Sequence, residues 1–152
     1  MRTRNATRAD IDEFYRQKRL AVVGVSRDEK EWSRAVFREL QKRGYDVVPV
    51  NPHSAELDGV RCYARLADIA PAVDGALILL PAGPAMQSLA ECAAASIKRV
   101  WLRNHVPGAE EVIRQAGITL ISGYCPFMFM PNTPFFHKFH AWGLQLVGQY
   151  PK

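Results

Sequence analysis

The residues best placed to do chemistry in this 152-residue chain stand just behind its apolar runs. Leu20-Ala21-Val22-Val23 leads directly into Gly24-Val25-Ser26-Arg27. A glycine there can take backbone angles closed to other residues, a serine hydroxyl can donate to a phosphate oxygen, and an arginine supplies positive charge. The chemistry would be capture of an anion, helped by free N–H groups where a helix opens near Trp32-Ser33. The turn keeps the leading glycine of the dinucleotide-binding fingerprint without its G-x-G-x-x-G continuation. Two readings stay open. Gly24, Ser26 and Arg27 hold a phosphate, or Gly24 simply turns the chain and Arg27 is solvated. Asp28, Glu29 and Glu31 favour the second reading, because they offset Arg27, Lys30 and Arg34.

Nucleophilic and metal chemistry have thinner support. Cys62, Cys92 and Cys125 are odd in number, widely spaced and without a C-x-x-C pair, which suits a reduced setting and argues against zinc. A nucleophilic Cys125 needs a nearby base or a cationic field. His137 and His140 lie downstream, but no fixed spacing returns them to it, so a structural or redox-modifiable thiol is favoured. Two imidazoles three residues apart, with no carboxylate or thiolate at a known spacing, read as a surface pair and not as metal ligands. His53 and Asn104-His105 fall at expected strand ends, as ligand contacts or as solvated loop. With no nucleophile–base pair and no Walker loop, binding is better supported than turnover, and a non-catalytic chain is expected.

These residues need a scaffold, and the composition allows an ordinary one. Hydrophobic residues make up 48% and charged residues 23% of the chain, the range of a single globular domain, expected over 1–152. The net charge is +5, and residues 1–19 hold six basic against three acidic side chains. No basic stripe interleaved with aromatics appears, so nucleic acid is not an expected partner. The start of the chain has no apolar stretch behind its positive charge, and the densest apolar run, Ala76 to Ala82, is far short of the ~20 residues that span a bilayer. No membrane partner and a cytoplasmic setting are expected.

The positioning elements follow from periodicity. Asp10, three residues before Glu13, is an N-cap candidate for a short helix through about Gln17. Leu20–Val23 reads as a strand. Trp32, Val36 and Leu40, with Ala35 between, recur on one face of a helix, with Arg34, Arg38, Lys42 and Arg43 on other faces and Gly44 at its close. Asp46–Val50 is a strand whose Pro49 disfavours an interior hydrogen-bonded position. After a short Val60–Tyr63 segment, Asp74–Leu80 is apolar on both faces, which marks a central parallel strand. A helix over Ala85–Ser96, a strand over Lys98–Leu102, a helix over Ala109–Gln115 and a strand over Ile118–Ile121 complete the alternation. Strand and helix repeating with short connections define an α/β, Rossmann-like doubly wound fold with a mainly parallel five-stranded sheet. Ligands of such sheets bind outside the strand carboxyl ends.

The end of the second strand narrows the ligand. An NAD site usually places an Asp or Glu about 20 residues past the glycine turn to hold the ribose hydroxyls. This chain has Asn51-Pro52-His53, so NADP or coenzyme A fits better than NAD. Here the residues resemble a known family, the small coenzyme A-binding proteins whose Rossmann-like domain also forms part of succinyl-CoA synthetase and of ADP-forming acyl-CoA synthetases. The likeness lies in Ala21-Val22-Val23-Gly24-Val25-Ser26, in Gly44-Tyr45-Asp46-Val47-Val48-Pro49-Val50-Asn51-Pro52, and in Tyr63 and Leu66 before Asp68-Ile69. Val100-Trp101-Leu102 and Ala116-Gly117-Ile118 extend it over about 10–125.

The resemblance implies coenzyme A or an acyl-CoA as cofactor, with Gly24, Ser26 and Arg27 beside its phosphates; Ser33 is a candidate from its place at the expected helix start. It implies that Val50, Asn51 and Pro52 flank the adenosine and that Leu80-Pro81-Ala82 follow the ligand from the third strand; Asn104 is a candidate from its place at the end of the fourth. Many small members carry a Phe-Arg pair where this chain has Leu80-Pro81. The residues alone read Pro81 as a strand stop and Asn51 as an Asx turn. The phosphohistidine of succinyl-CoA synthetase belongs to a further domain, so its catalysis does not transfer. An NADP-dependent oxidoreductase, and an interaction or regulatory subunit with a vestigial nucleotide site, stand as alternatives. Residues 126–152 form an expected C-terminal helical extension rich in Phe and Met. Phe136, Phe139, Gly143 and Leu146 repeat at helical spacing, a stripe expected to pack on the domain or on a second copy, most simply as a homodimer.

Overall fold

A computed structural model of the chain describes residues 6–130. The first strand, β1 (Arg19–Val23), is buried along Leu20–Val23, and its side chains alternate between two cores. Leu20 and Val22 join α1 (Arg8–Tyr15) and α2 (Trp32–Lys42), while Ala21 and Val23 face α3 (Ala82–Ala94) and α4 (Ala109–Ala116). Period-two alternation along a strand makes a sheet apolar on both faces, and only a helical layer on each side can bury both.

The other strands are β2 (Asp46–Val50), β5 (Gly75–Ile78), β6 (Arg99–Leu102) and β7 (Thr119–Ser122). They pair in parallel in the order β2-β1-β5-β6-β7, so the sequence-predicted doubly wound five-stranded sheet is the observed fold. β5 is central, as its two-sided apolar character requires. β2 lies at an edge, where Pro49, opposite Val22, leaves no interior ladder bond unmade. The chain winds one way from β1 to β2 and the other way from β5 onward, which puts the switch point between β1 and β5. An antiparallel ribbon of β3 (Glu56–Leu57) and β4 (Val60–Arg61), not foreseen in the sequence, follows β2.

Several boundaries differ from expectation. Thr7, not Asp10, caps α1: its hydroxyl accepts the Asp10 N–H and its own N–H donates to Asp10 Oδ2 at 2.7 Å. Starting a turn earlier brings Ile11, Phe14 and Tyr15 onto one buried face of an eight-residue helix ending at Tyr15. α3 begins at Ala82 and not at Ala85. Pro84 is tolerated there because first-turn N–H groups have no intrahelical partner to lose. Ala35, expected on the apolar face of α2, is exposed, whereas Arg34, expected on a polar face, is 4% exposed. The cause is a built set of acceptors, described below. Phe136, His137, Phe139, His140, Gly143 and Leu146, with the helix and homodimer expected from them, lie outside the described residues. No helix among the described residues is long and apolar enough to cross a membrane.

Candidate functional site

The turn behind β1 is held by glycine geometry. Gly24 has φ +92°, and a Cβ built on it would stand 2.7 Å from Leu80 Cδ2 and 3.0 Å from Leu80 Cγ. The backbone angle favours glycine, and any side chain there would also push the Leu80 side chain aside. Its N–H donates to Val50 O at 3.0 Å, joining the turn to the end of β2. Asn51 completes the joint: Nδ2 donates to Val25 O at 2.8 Å and Oδ1 accepts the His53 N–H at 2.7 Å. Asn51 is thus an Asx turn and a brace between two strand-end loops at once.

Beyond Gly24 the loop organises its own amides. The Ser26 N–H donates to Ser33 Oγ at 3.0 Å, and Ser26 Oγ accepts the Asp28 N–H at 3.0 Å. Of the three acids that argued against an anion site, Asp28 and Glu29 have side-chain partners, while Glu31 is the N-cap of α2 without a side-chain cap bond. Asp28 Oδ1 accepts the Lys30 N–H, and Glu29 pairs with Arg38 at 3.4 Å. Arg34 turns inward and donates through Nη1 to the carbonyls of Ser26 at 3.0 Å and Arg27 at 3.3 Å. Its Nε and Nη2 each donate to Asp58 at 2.8 Å, and Arg38 adds a second fork to the same carboxylate at 2.9 and 3.0 Å. These hydrogen bonds, Arg34's first, hold the Asp58 carboxyl well below the usual carboxylate range. Asp58 sits in the β3–β4 turn at φ +49°, so the ribbon is anchored to the β1 loop through one buried guanidinium.

Between these parts lies a cleft of about 460 Å3 at the carboxyl ends of β1, β2 and β5. Of the sequence-predicted residues, Gly24, Ser26, Val50, Asn51, Pro52 and Leu80 line it. Ser33 is held behind Ser26, and Asn104 Nδ2 reaches Leu80 O at 3.4 Å without lining the cleft. Arg27 is exposed on the loop next to Ser26. Pro81 is the N-cap of α3 and Ala82 its first residue, one and two places past Leu80. Neither α2 nor α3 has a side-chain hydrogen bond capping its N-terminus, and both begin at the strand carboxyl ends.

Sequence reasoning missed the opposite wall. Arg65 follows Tyr63, which bridges to Val50, and Pro84, Gln87, Ser88 and Glu91 come from one face of α3. Their i, i+3, i+4, i+7 spacing was readable, but an Ala-rich helix drew attention to its packing side. Glu91 matters most, since it brings into the cleft a carboxylate that the end of β2 lacks. Arg103, also unforeseen, sits 4.3 Å over the Trp32 ring at the start of α2. Cys62 and Cys92 are buried, and burial pushes the Cys92 thiol up to about 12, which rules it out as a nucleophile near neutrality. Cys125 is half-buried beyond β7, and its candidate bases His137 and His140 lie outside the described residues.

A doubly wound sheet with a glycine turn and a cleft at its switch point defines the class of α/β domains that take nucleotide-like ligands at strand ends. Comparison with known proteins gives the family. Residues 18–131 match the model described as the CoA binding domain, and the chain belongs to that family. It is 35% identical over 91 residues to the alpha subunit of an ADP-forming acetate–CoA ligase II of Pyrococcus furiosus, a stretch covering 59% of this chain but 20% of that subunit. Two solved structures resemble it along most of their length. A hypothetical protein from Pyrococcus horikoshii OT3 superposes with a TM-score of 0.75 at 27% identity, covering 83% of this chain and 93% of that one. A Thermus thermophilus protein gives 0.68 at 32% identity, covering 78% and 89%.

Proposed function

We propose that this domain binds coenzyme A or an acyl-CoA in the strand-end cleft, without catalysis of its own. The observation that carries the proposal is the Gly24–Ser26 turn, packed against the Leu80 side chain and tied to Val50 and Asn51 at the strand-end cleft. Gly24, Ser26 and the uncapped start of α2 behind Ser33 receive the diphosphate. Val50, Asn51 and Pro52 flank the adenosine, and Leu80, Pro81, Ala82 and Asn104 lie along the rest of the ligand. Arg103, at the end of β6 beside the start of α2, supplies a cation in the region where Leu80-Pro81 replaces the Phe-Arg pair of many small family members. The proposal includes a cytoplasmic setting and a homodimer.

Calorimetric titration of the full chain with CoA, acetyl-CoA, NADP and NAD tests the reading. CoA is expected to bind about ten-fold more tightly than NAD or better, a difference of roughly 1.4 kcal/mol. The end of β2 offers no carboxylate to a free ribose diol, and Glu91 is already bonded to Arg65 and to the Ala67 N–H. NAD binding as tight as CoA would overturn the proposal, and binding of NADP alone would point to an oxidoreductase. Arg27, exposed beside Ser26, belongs with the diphosphate. Arg27→Ala is expected to weaken CoA and dephospho-CoA alike, each by about three-fold, as for a screened surface charge. Unchanged affinity for both would remove Arg27 from the site.

A further inference from the structure

Among the described residues lining the cleft, Arg65 is the one permanent cation and Glu91 the one carboxylate. Arg65 stands two residues past Tyr63, which bridges to Val50 of β2, and meets Glu91 of α3; Pro52 and His53 line the same cleft. Their contact is poorly matched. Arg65 Nε and Nη2 both reach the same oxygen, Glu91 Oε1, at 3.4 and 3.3 Å, while Oε2 accepts the Ala67 N–H at 3.3 Å. The Arg34–Asp58 pair shows what a matched fork looks like in this molecule, with two nitrogens on two oxygens at 2.8 Å each. The Arg65 side chain is 60% exposed and that of Glu91 14%. Arg65 is the exposed member of the pair, so its guanidinium can exchange one anion for another with little rearrangement of the fold. Glu91 would keep its bond to Ala67 after such an exchange.

We propose that Arg65 reads a phosphomonoester on the ribose of the ligand, and that Glu91 holds its guanidinium at the cleft wall until that phosphate takes over. The inference rests on the CoA reading above, in which the ribose lies at the β2 end beside Pro52. A phosphate offers two oxygens to the Arg65 fork where Glu91 offers one, and charge-assisted forks are among the stronger hydrogen bonds. It makes Arg65 the residue that separates CoA from dephospho-CoA, and leaves Arg27 indifferent to that difference.

Titration of the full chain with CoA, dephospho-CoA and adenosine 3′,5′-bisphosphate decides the matter. The unmodified chain is expected to prefer CoA over dephospho-CoA by about ten-fold. Arg65→Gln should bring that ratio near one by weakening CoA and the bisphosphate, with dephospho-CoA changed less than about two-fold. Arg65→Lys, which keeps the charge and loses the fork, should fall between. Glu91→Gln frees Arg65 and should tighten CoA a few-fold while leaving dephospho-CoA where it was. A ratio unchanged in both Arg65 variants, or a ratio near one in the unmodified chain that still binds CoA, overturns this inference alone. A chain that binds neither CoA nor dephospho-CoA overturns the functional proposal with it. Thermal melting of each variant separates loss of the site from loss of the fold.

Discussion

Replacing Gly24 with valine is expected to lower CoA affinity by roughly thirty-fold or more, with two separable causes. The first is the backbone. At φ +92° a β-branched residue is strained, at a cost on the order of 1–3 kcal/mol, and the loop relieves that strain by leaving the conformation that aims Ser26 at the cleft. The second is space, since the new Cβ would overlap Leu80 Cδ2 at 2.7 Å. Leu80 is half-buried at the cleft edge, so its side chain can swing away, but only by moving the wall the ligand uses. The causes can be separated with Gly24→Ala in a Leu80→Ala background, which removes the overlap and keeps the backbone strain. Calorimetry should show the double variant binding more tightly than Gly24→Val and more weakly than Leu80→Ala alone. A Gly24→Val protein that holds CoA within two-fold of the unmodified chain would show that this turn is not where the ligand binds.

What could be read from the sequence, and what could not, divides along one physical line. The sheet was legible because burial on both faces leaves an unbroken apolar run, as in Leu20–Val23, and because Pro49 announces an edge. The strand-end half of the cleft was legible too, since Gly24, Val50 and Leu80 each terminate such a run. The wall from α3 was not. Ser88 and Glu91 reach the cleft only because α3 packs beside the Leu66–Asp68 turn, a contact between segments some twenty residues apart that no local pattern encodes. Arg34 is the sharper case. By helical spacing it is one more charge among Arg34, Arg38 and Lys42, and what draws it inward is Asp58, supplied by the turn of a ribbon whose strands are two residues each, too short to leave a sequence signature.

That anchor gives the largest expected effect on stability. Arg34 is 4% exposed, and losing its partner leaves a buried guanidinium with only the Ser26 and Arg27 carbonyls, a kind of change that costs roughly 3–5 kcal/mol in buried pairs. Asp58 keeps 23% of its side chain in water, so Asp58→Ala belongs at the low end, about 3 kcal/mol, or a fall in Tm of roughly 6–12 °C for a domain of this size. Arg38, 41% exposed on the same carboxylate, should cost far less when truncated, as a surface pair does. Asp58→Asn isolates the charge, because asparagine tolerates the φ of +49° as aspartate does. It also gives the sign of the pH dependence. A carboxylate held low in the folded state contributes stability that is complete above its unfolded pKa, near ~3.9, and is lost as pH falls from there toward the folded value. The unmodified chain should therefore lose Tm steeply as the pH drops below about 4, while Asp58→Asn, already destabilised at neutral pH, loses less across the same interval. Arg34→Met makes the complementary test. Asp58 then keeps its fork from the half-exposed Arg38 and an apolar side chain fills the buried site, so the chain can stay folded, yet nothing holds the carbonyls of Ser26 and Arg27. Its Tm should fall less than that of Asp58→Ala while its CoA affinity falls more. The reverse order would mean that the anchor stabilises the fold without positioning the loop.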